Sequence, residues 1–321
     1  MTATASKSLA SVDATPTAGA AIELVNVSRW YGNIVAVNDI SFALEPGITG
    51  LLGPNGAGKS TLLHMLAGFL KPSAGTVRMF GEPTWENPEL YRRVGLVPER
   101  EAVYPFLTGY DFVLLSARLQ KLPDPEAAAR KAIALVGLEG AQGRQCGGYS
   151  KGMKQRVKIA AAIVHQPGVL LLDEPFNGAD PGQRLQMMDM LREMADGGCT
   201  IVFSSHILEE VERLAENVLV VVTGRLAASG DFRTIRRLMT DRPHTFALRS
   251  NDNRRLASVL VALPVVTGIE LDGDRLSVRT SEFATFATEL PKSARSAAIT
   301  LYEVTPADES LESVFSYLVN R

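Results

Sequence analysis

The run Gly53-Pro54-Asn55-Gly56-Ala57-Gly58-Lys59-Ser60-Thr61 satisfies the pattern G-x-x-x-x-G-K-[ST]. Glycines let a backbone curl until successive N–H groups point at one anion. Lys59 supplies a point charge for the β- and γ-phosphates of a nucleotide, and Ser60 offers a hydroxyl to Mg²⁺. A helix starting at Ser60 would aim the positive end of its dipole at the same phosphates. Far downstream, Val169-Leu170-Leu171-Leu172 runs into Asp173-Glu174-Pro175, an apolar strand closed by two carboxylates. Asp173 can hold the metal directly or through water, and Glu174 can polarise an attacking water. Together the two motifs predict chemistry on nucleotide phosphates.

Such groups need a parallel sheet to bring them to one edge. Ile22–Val27 alternates as a strand, Ile40–Leu44 is a second, and Ile48–Leu52 is a short apolar strand leading straight into the glycine loop. Behind the loop, Leu62, Leu66, Phe69 and Leu70 keep helical spacing until Lys71-Pro72. Val169–Leu172 and Thr200–Ser204 read as buried strands, separated by a helix with Leu185, Met188, Leu191 and Ala195 on one face. Val218–Thr223 is another strand, turned by Gly224-Arg225. Strands alternating with helices predict an α/β layer. Residues of about 88–165 interrupt it with a mostly helical stretch that includes Asp111–Gln120 and Pro125–Val136.

The last part of the chain has its own pattern. Strands are expected at Thr245–Arg249, Val265–Leu271, Arg275–Arg279 and Thr300–Val304, with helices at Arg254–Leu263, around Phe283–Leu290 and at Ser310–Val319. The order β-α-β-β-α-β predicts a ferredoxin-like α+β sandwich without a nucleotide loop or metal-ligand spacing.

Composition narrows the function classes. The chain has 321 residues, enough for two domains, and its 46% hydrophobic and 21% charged residues exclude disorder throughout. Thirty-three Lys and Arg against thirty-five Asp and Glu leave no basic excess for gripping nucleic acid. Cys146 and Cys199 cannot make a disulfide framework and fit a reducing compartment. No apolar run approaches the ~18–20 residues of a membrane span, so membrane action requires another chain. Residues 1–20 lack apolar periodicity and are expected to form a disordered tail.

Between the two phosphate motifs lies Tyr149-Ser150-Lys151-Gly152-Met153-Lys154-Gln155-Arg156, and here the chain resembles the ATP-binding cassette (ABC) ATPases over roughly residues 22–230. The segment is similar to the family's signature motif, which in one subunit closes over the γ-phosphate held by the other. Ser150 suits a helix cap, Gly152 permits close approach, and Met153 stands where glutamine is common. Further resemblances follow in the family's order. Tyr31 matches the aromatic that stacks on adenine, and Asn177-Gly178-Ala179-Asp180-Pro181 the loop linking the two sites. His206 matches the switch histidine that hydrogen-bonds the γ-phosphate. Glu99, in Val97-Pro98-Glu99-Arg100, stands where most members carry a glutamine that touches Mg²⁺ and senses the membrane partner.

The resemblance implies a fold of one P-loop α/β core (21–235) with a helical signature subdomain (about 88–165), followed by an accessory domain (241–321). It implies ATP and Mg²⁺ as ligands, with Ser60, Glu99 and Asp173 on the metal and Glu174 and His206 in hydrolysis. The variants at Glu99, Lys151 and Met153 resemble the bacterial branch serving drug and sodium exporters, which often ends like Ser310-Leu311-Glu312-Ser313-Val314-Phe315. The implied partners are an integral-membrane permease and a second, head-to-tail copy, on the cytoplasmic face of the membrane. The permease would dock on the helical stretch after Glu99, including Tyr104–Thr108. The competing class is a soluble cassette ATPase acting on ribosomes or DNA, but neither a second cassette nor a long coiled-coil or zinc insertion is present. A purely regulatory nucleotide-binding module is the third reading, disfavoured by Glu174 and His206.

Overall fold

Alternating apolar residues pair Ile22–Tyr31 (β1) with Ile34–Leu44 (β2), and Ile48–Leu52 (β3) follows with every residue buried. The computed structural model describes residues 20–100, 102–238, 243–307 and 311–319, so the tail expected at 1–20 lies almost wholly outside the described residues, as does the Ser310 start of the last helix. Lys59–Leu66 (α1), Ala74–Met79 (β4) and the two-residue strand Glu82–Pro83 (β5) come next, then Val94–Val97 (β6). Three helices succeed them: Gly109–Leu119 (α2), Pro125–Leu135 (α3) and Lys151–Ile163 (α4). Val169–Asp173 (β7), Pro181–Asp196 (α5), Thr200–Ser204 (β8), Leu208–Leu214 (α6), Asn217–Val222 (β9) and Arg225–Gly230 (β10) complete this part.

Two sheets result. One is four-stranded, in the order β2-β1-β4-β5; the other is six-stranded, β10-β9-β3-β8-β7-β6. In the second sheet β9, β3, β8, β7 and β6 run parallel. Leu51 and Asp173 both lie opposite Ser204, and Val97 lies opposite Leu172. The carboxyl ends of β3, β8, β7 and β6 therefore share one edge, which is where ligands bind in open parallel sheets. A core from β1, β2, β4 and α1, with Leu51, Leu171, Val202 and Leu219 from the parallel sheet, sits beneath that edge.

Several elements depart from the expectations. The first two strands extend to Tyr31 and start at Ile34, because their far ends pair with each other rather than with the core. Helix α1 stops at Leu66: Gly68 takes a left-handed φ of 73°, and Phe69, expected on the buried face, is 60% exposed. The mostly helical stretch of 88–165 contributes β6 to the parallel sheet, a four-residue strand too short to register as a pattern. On α5 the buried face is built by Met187, Met188, Met190 and Leu191, whereas Leu185 is exposed. Strand β10 follows the Gly224 turn, where the sequence pattern gives a turn but no strand after it.

The chain divides into units at Ser229/Gly230. The second unit opens with Phe232–Leu238 (α7), then His244–Ser250 (β11), Asn253–Leu260 (α8), Val266–Asp272 (β12), Arg275–Thr280 (β13), Phe283–Ser296 (α9), Leu301–Pro306 (β14) and Leu311–Val319 (α10). Its sheet is antiparallel in the order β12-β13-β11-β14, the strand order of a ferredoxin-like sandwich. Leu256 and Leu260 of α8 and Phe286, Leu290 and Ala294 of α9 pack on Phe246, Leu248, Leu276 and Val278 in a core of its own.

Candidate functional site

The phosphate loop is shaped by close approach. Gly58 holds φ at 104°, and a Cβ there would lie 2.3 Å from the Ala36 carbonyl oxygen, so no side chain fits. Gly58 is also the cap of α1 and brings no side chain to its first N–H groups, leaving them available to an anion. Lys59 is buried, and its Nζ donates to the carbonyls of Gly53 (2.7 Å) and Pro54 (3.2 Å). The ammonium is thus folded back over the loop that it would serve.

Across the edge, Ser204 organises the acidic strand end. Its hydroxyl donates to Asp173 Oδ1 at 2.5 Å and accepts from the Glu174 N–H at 3.0 Å. Gln155 Nε2 of α4 donates to the Glu174 carbonyl at 3.4 Å. Glu174 adopts φ 51°, a left-handed conformation that costs a non-glycine residue of order 1–3 kcal/mol. Bonds to both its N–H and its C=O hold it there. The twist turns its side chain to His206, whose Nδ1 is 2.7 Å from Glu174 Oε2; with the carboxylate ionised, Nδ1 is the donor. Burial pushes the Glu174 carboxyl above its ordinary range. The His206 hydrogen bond and the charges of His206 and Lys59 pull it down, and Asp173 pushes it up.

These groups surround a cavity of about 350 Å³ lined by Ala36, Asn55, Gly56, Gly58, Lys59, Ser60, Thr61, Glu99, Asp173 and Glu174. Residues from the glycine loop, the acidic strand end and the Glu99 loop therefore meet. Gly53 and Pro54 lie behind the lining as acceptors for Lys59, and Ala57 is buried. His206 reaches the site through Glu174.

The remaining expected residues are elsewhere. Tyr31, half-exposed at the end of β1, carries the Arg29 guanidinium 4.7 Å from its ring centroid. Ser150 caps α4, accepting from the Met153 N–H at 3.2 Å, and Asp180 caps α5 through the Gln183 N–H at 2.9 Å. The two caps belong to segments that touch: a Cβ on Gly152 would lie 2.9 Å from the Gly178 carbonyl oxygen. None of Tyr31, Ser150, Gly152, Met153 and Asp180 lines the cavity.

Sequence reasoning missed Ser204, Gln155 and Ala36. Ser204 carried a faint signal, a hydroxyl closing an otherwise apolar strand just before His206. A second missed group stands behind His206: Ser205 Oγ donates to Glu210 Oε2 at 2.5 Å, and Arg184 of α5 pairs with Glu210 Oε1 at 3.0 Å.

Residues 37–177 match the ABC transporter family. The bacitracin transport ATP-binding protein BcrA of Enterococcus faecalis is 33% identical over 302 residues, covering 93% of this chain and 96% of its own. The chain belongs to the ABC transporter ATP-binding proteins. The daunorubicin/doxorubicin resistance ATP-binding protein DrrA of Streptomyces peucetius, another relative, is 34% identical over 79% of this chain and 78% of its own. A solved ATP-binding subunit of an ABC transporter superposes with a TM-score of 0.62 at 30% identity, covering 67% of this chain and 92% of that one. Because the BcrA match is longer than the first unit, this ABC protein and BcrA share sequence that runs into the second unit. ATP binding and hydrolysis are the general activity of the ABC family, and the phosphate loop and acidic strand end described above are the parts of the chain that suit it.

Proposed function

We propose that this chain is the ATP-hydrolysing subunit of a bacterial membrane exporter and works as a head-to-tail pair on the cytoplasmic face of the membrane. One observation carries the reading: a single chain holds a phosphate cavity and a signature cap, Ser150, but does not bring them together. A second copy turned head-to-tail would set its Ser150, Gly152 and Met153 over the γ-phosphate, with Asp180 linking the two sites. The exporter part is supported by the relatives' names, bacitracin transport and daunorubicin/doxorubicin resistance.

The residues divide the work. Tyr31 stacks on adenine, and the loop Gly53–Thr61 wraps the phosphates with Lys59 turned from its carbonyls to the anion. Ser60, Glu99 and Asp173 present hard oxygen ligands around the cavity, which fits Mg²⁺, a cation held by one or two carboxylates plus substrate phosphates. When bound, Mg²⁺ would neutralise charge developing on the phosphates. Glu174 takes the proton of the attacking water, and His206 orients that carboxylate and reaches the γ-phosphate.

Among the described residues no helix is long and apolar enough to cross a membrane; in this reading the cargo path belongs to a permease on which the chain docks. An apolar groove of about 410 Å³, lined by Phe69, Tyr91, Leu96, Pro98 and Leu119 among others, supports docking of that permease beside the Glu99 loop. Tyr104 and Phe106, both exposed, extend the apolar surface of the helical stretch. The second unit lies outside the residues that line the cavity, and we assign it an accessory role in assembly or coupling.

The first test is MgATP turnover by wild type and Lys59→Ala. Removing the charge from the cradle should lower turnover by about 10²–10³-fold. Equal turnover in a preparation free of other ATPases would refute the site. Co-purification of the native complex tests the permease.

A further inference from the structure

Glu99 reaches the cavity from a stretch without regular structure: β6 ends at Val97, and residues 98–100 belong to no helix or strand. Two bonds from the signature helix hold this stretch. Lys158, in the third turn of α4, is 5% exposed, and its Nζ donates to the carbonyls of Pro98 at 2.7 Å and Arg100 at 3.0 Å. One ammonium thus grips the acceptors on both sides of Glu99. A methionine of similar length would fill the same space without the cost of burying a cation, so what lysine uniquely adds here is its donors and its charge.

One turn earlier on the same face, Gln155 holds the Glu174 carbonyl. Helix α4 therefore begins with the signature cap at Ser150 and, further along, touches two segments that line the cavity. Any displacement of the helix that accompanied engagement of Ser150 would be passed to Glu99 through a short, buried, charge-assisted contact. Resting on the reading of the cavity as a MgATP site, we propose that Lys158 is a positioning residue that sets Glu99 in the cavity, tying the site's use of the divalent cation to the signature helix.

The test compares the full chain with Lys158→Met, reading the Mg²⁺ concentration for half-maximal binding of a fluorescent ATP analogue. Affinity for the analogue in EDTA should stay within about twofold, because the phosphate loop is untouched. The Mg²⁺ midpoint should rise about tenfold, the scale of losing a partner that orients a metal ligand. In a Glu99→Ala background, Lys158→Met should add no further shift. A merely structural lysine would lower the melting temperature without moving the midpoint, and that result would overturn the proposal. So would a shift just as large without Glu99. Should Lys158→Met not fold, Lys158→Gln, which keeps a donor but loses the charge and reach, should show a smaller rise; an unmoved midpoint there overturns the proposal equally. Wild type without Mg²⁺-dependent binding would instead refute the cavity reading itself.

Discussion

Burial around Glu174 raises its carboxyl while His206 and Lys59 hold it down, so the ionised form that the proposed base role requires is the form that folding disfavours. The folded pKa lies above the unfolded one, so the folded chain binds this proton more tightly. The resulting contribution to stability is complete below the unfolded value and lost as the pH rises through the folded one. Glu174→Gln, which mimics the protonated side chain, should therefore raise the melting temperature of the nucleotide-free protein at about pH 8. The gain should shrink as the pH falls toward the ordinary glutamate range, and thermal unfolding across that window checks it. Hydrolysis should show the opposite trade. Losing the base should lower the rate by about 10²–10⁴-fold. In the wild type, activity should fall on acidification at a pH above that of an ordinary glutamate.

At the scale of elements, the site depends on helices meeting side by side. Glu210 on α6 is buried and receives both the Ser205 hydroxyl and the Arg184 guanidinium of α5. The residue between Ser205 and Ile207 is His206, and the Ile207 N–H donates to Ser205 Oγ at 3.0 Å. Glu210→Ala would remove the shared acceptor, leaving Ser205 Oγ the longer contact to the Ile207 carbonyl at 3.4 Å and Arg184 to water, and should cost on the order of 1–3 kcal/mol, measured by chemical denaturation. It should also lower turnover by loosening His206. Gly152→Ala acts at the other junction: with the Gly178 carbonyl oxygen 2.9 Å from the new methyl carbon, the loop leading to Asp180 must shift. Nucleotide affinity of the separate chain should hold, because neither residue lines the cavity, while hydrolysis by the assembled pair should fall.

For the whole molecule, the residues lining the cavity run from Ala36 to Glu174, within the first unit, and the second unit has its own core. A chain ending at Ser229 should bind MgATP within about twofold of the full protein, measured by titration of a fluorescent analogue. Loss of affinity in a folded truncation would place the second unit in the site. The separation of Ser150 from the cavity also has a consequence in solution. Glu174→Gln with MgATP should elute from size exclusion as a dimer, and without nucleotide as a monomer.

What the residues determined by themselves is whatever is contiguous along the chain. The glycine loop, the acidic strand end and the β-α-β-β-α-β order of the second unit were legible because the chemistry or the period lies within a few neighbouring positions. Short or peripheral elements were not: β6 has four residues, and the outer ends of β1 and β2 are held by each other. The tertiary structure alone decided which distant groups complete the site. Ser204 meets the Glu174 N–H from 30 positions away, Gln155 meets its carbonyl from 19, and Lys158 meets Pro98 from 60. It also decided that Ser150 and Asp180 stay off the cavity. Local spacing shows which hydroxyl or ammonium is available, but a hydrogen bond needs its partner within about 3 Å, and that distance exists only once the sheet and helices have packed.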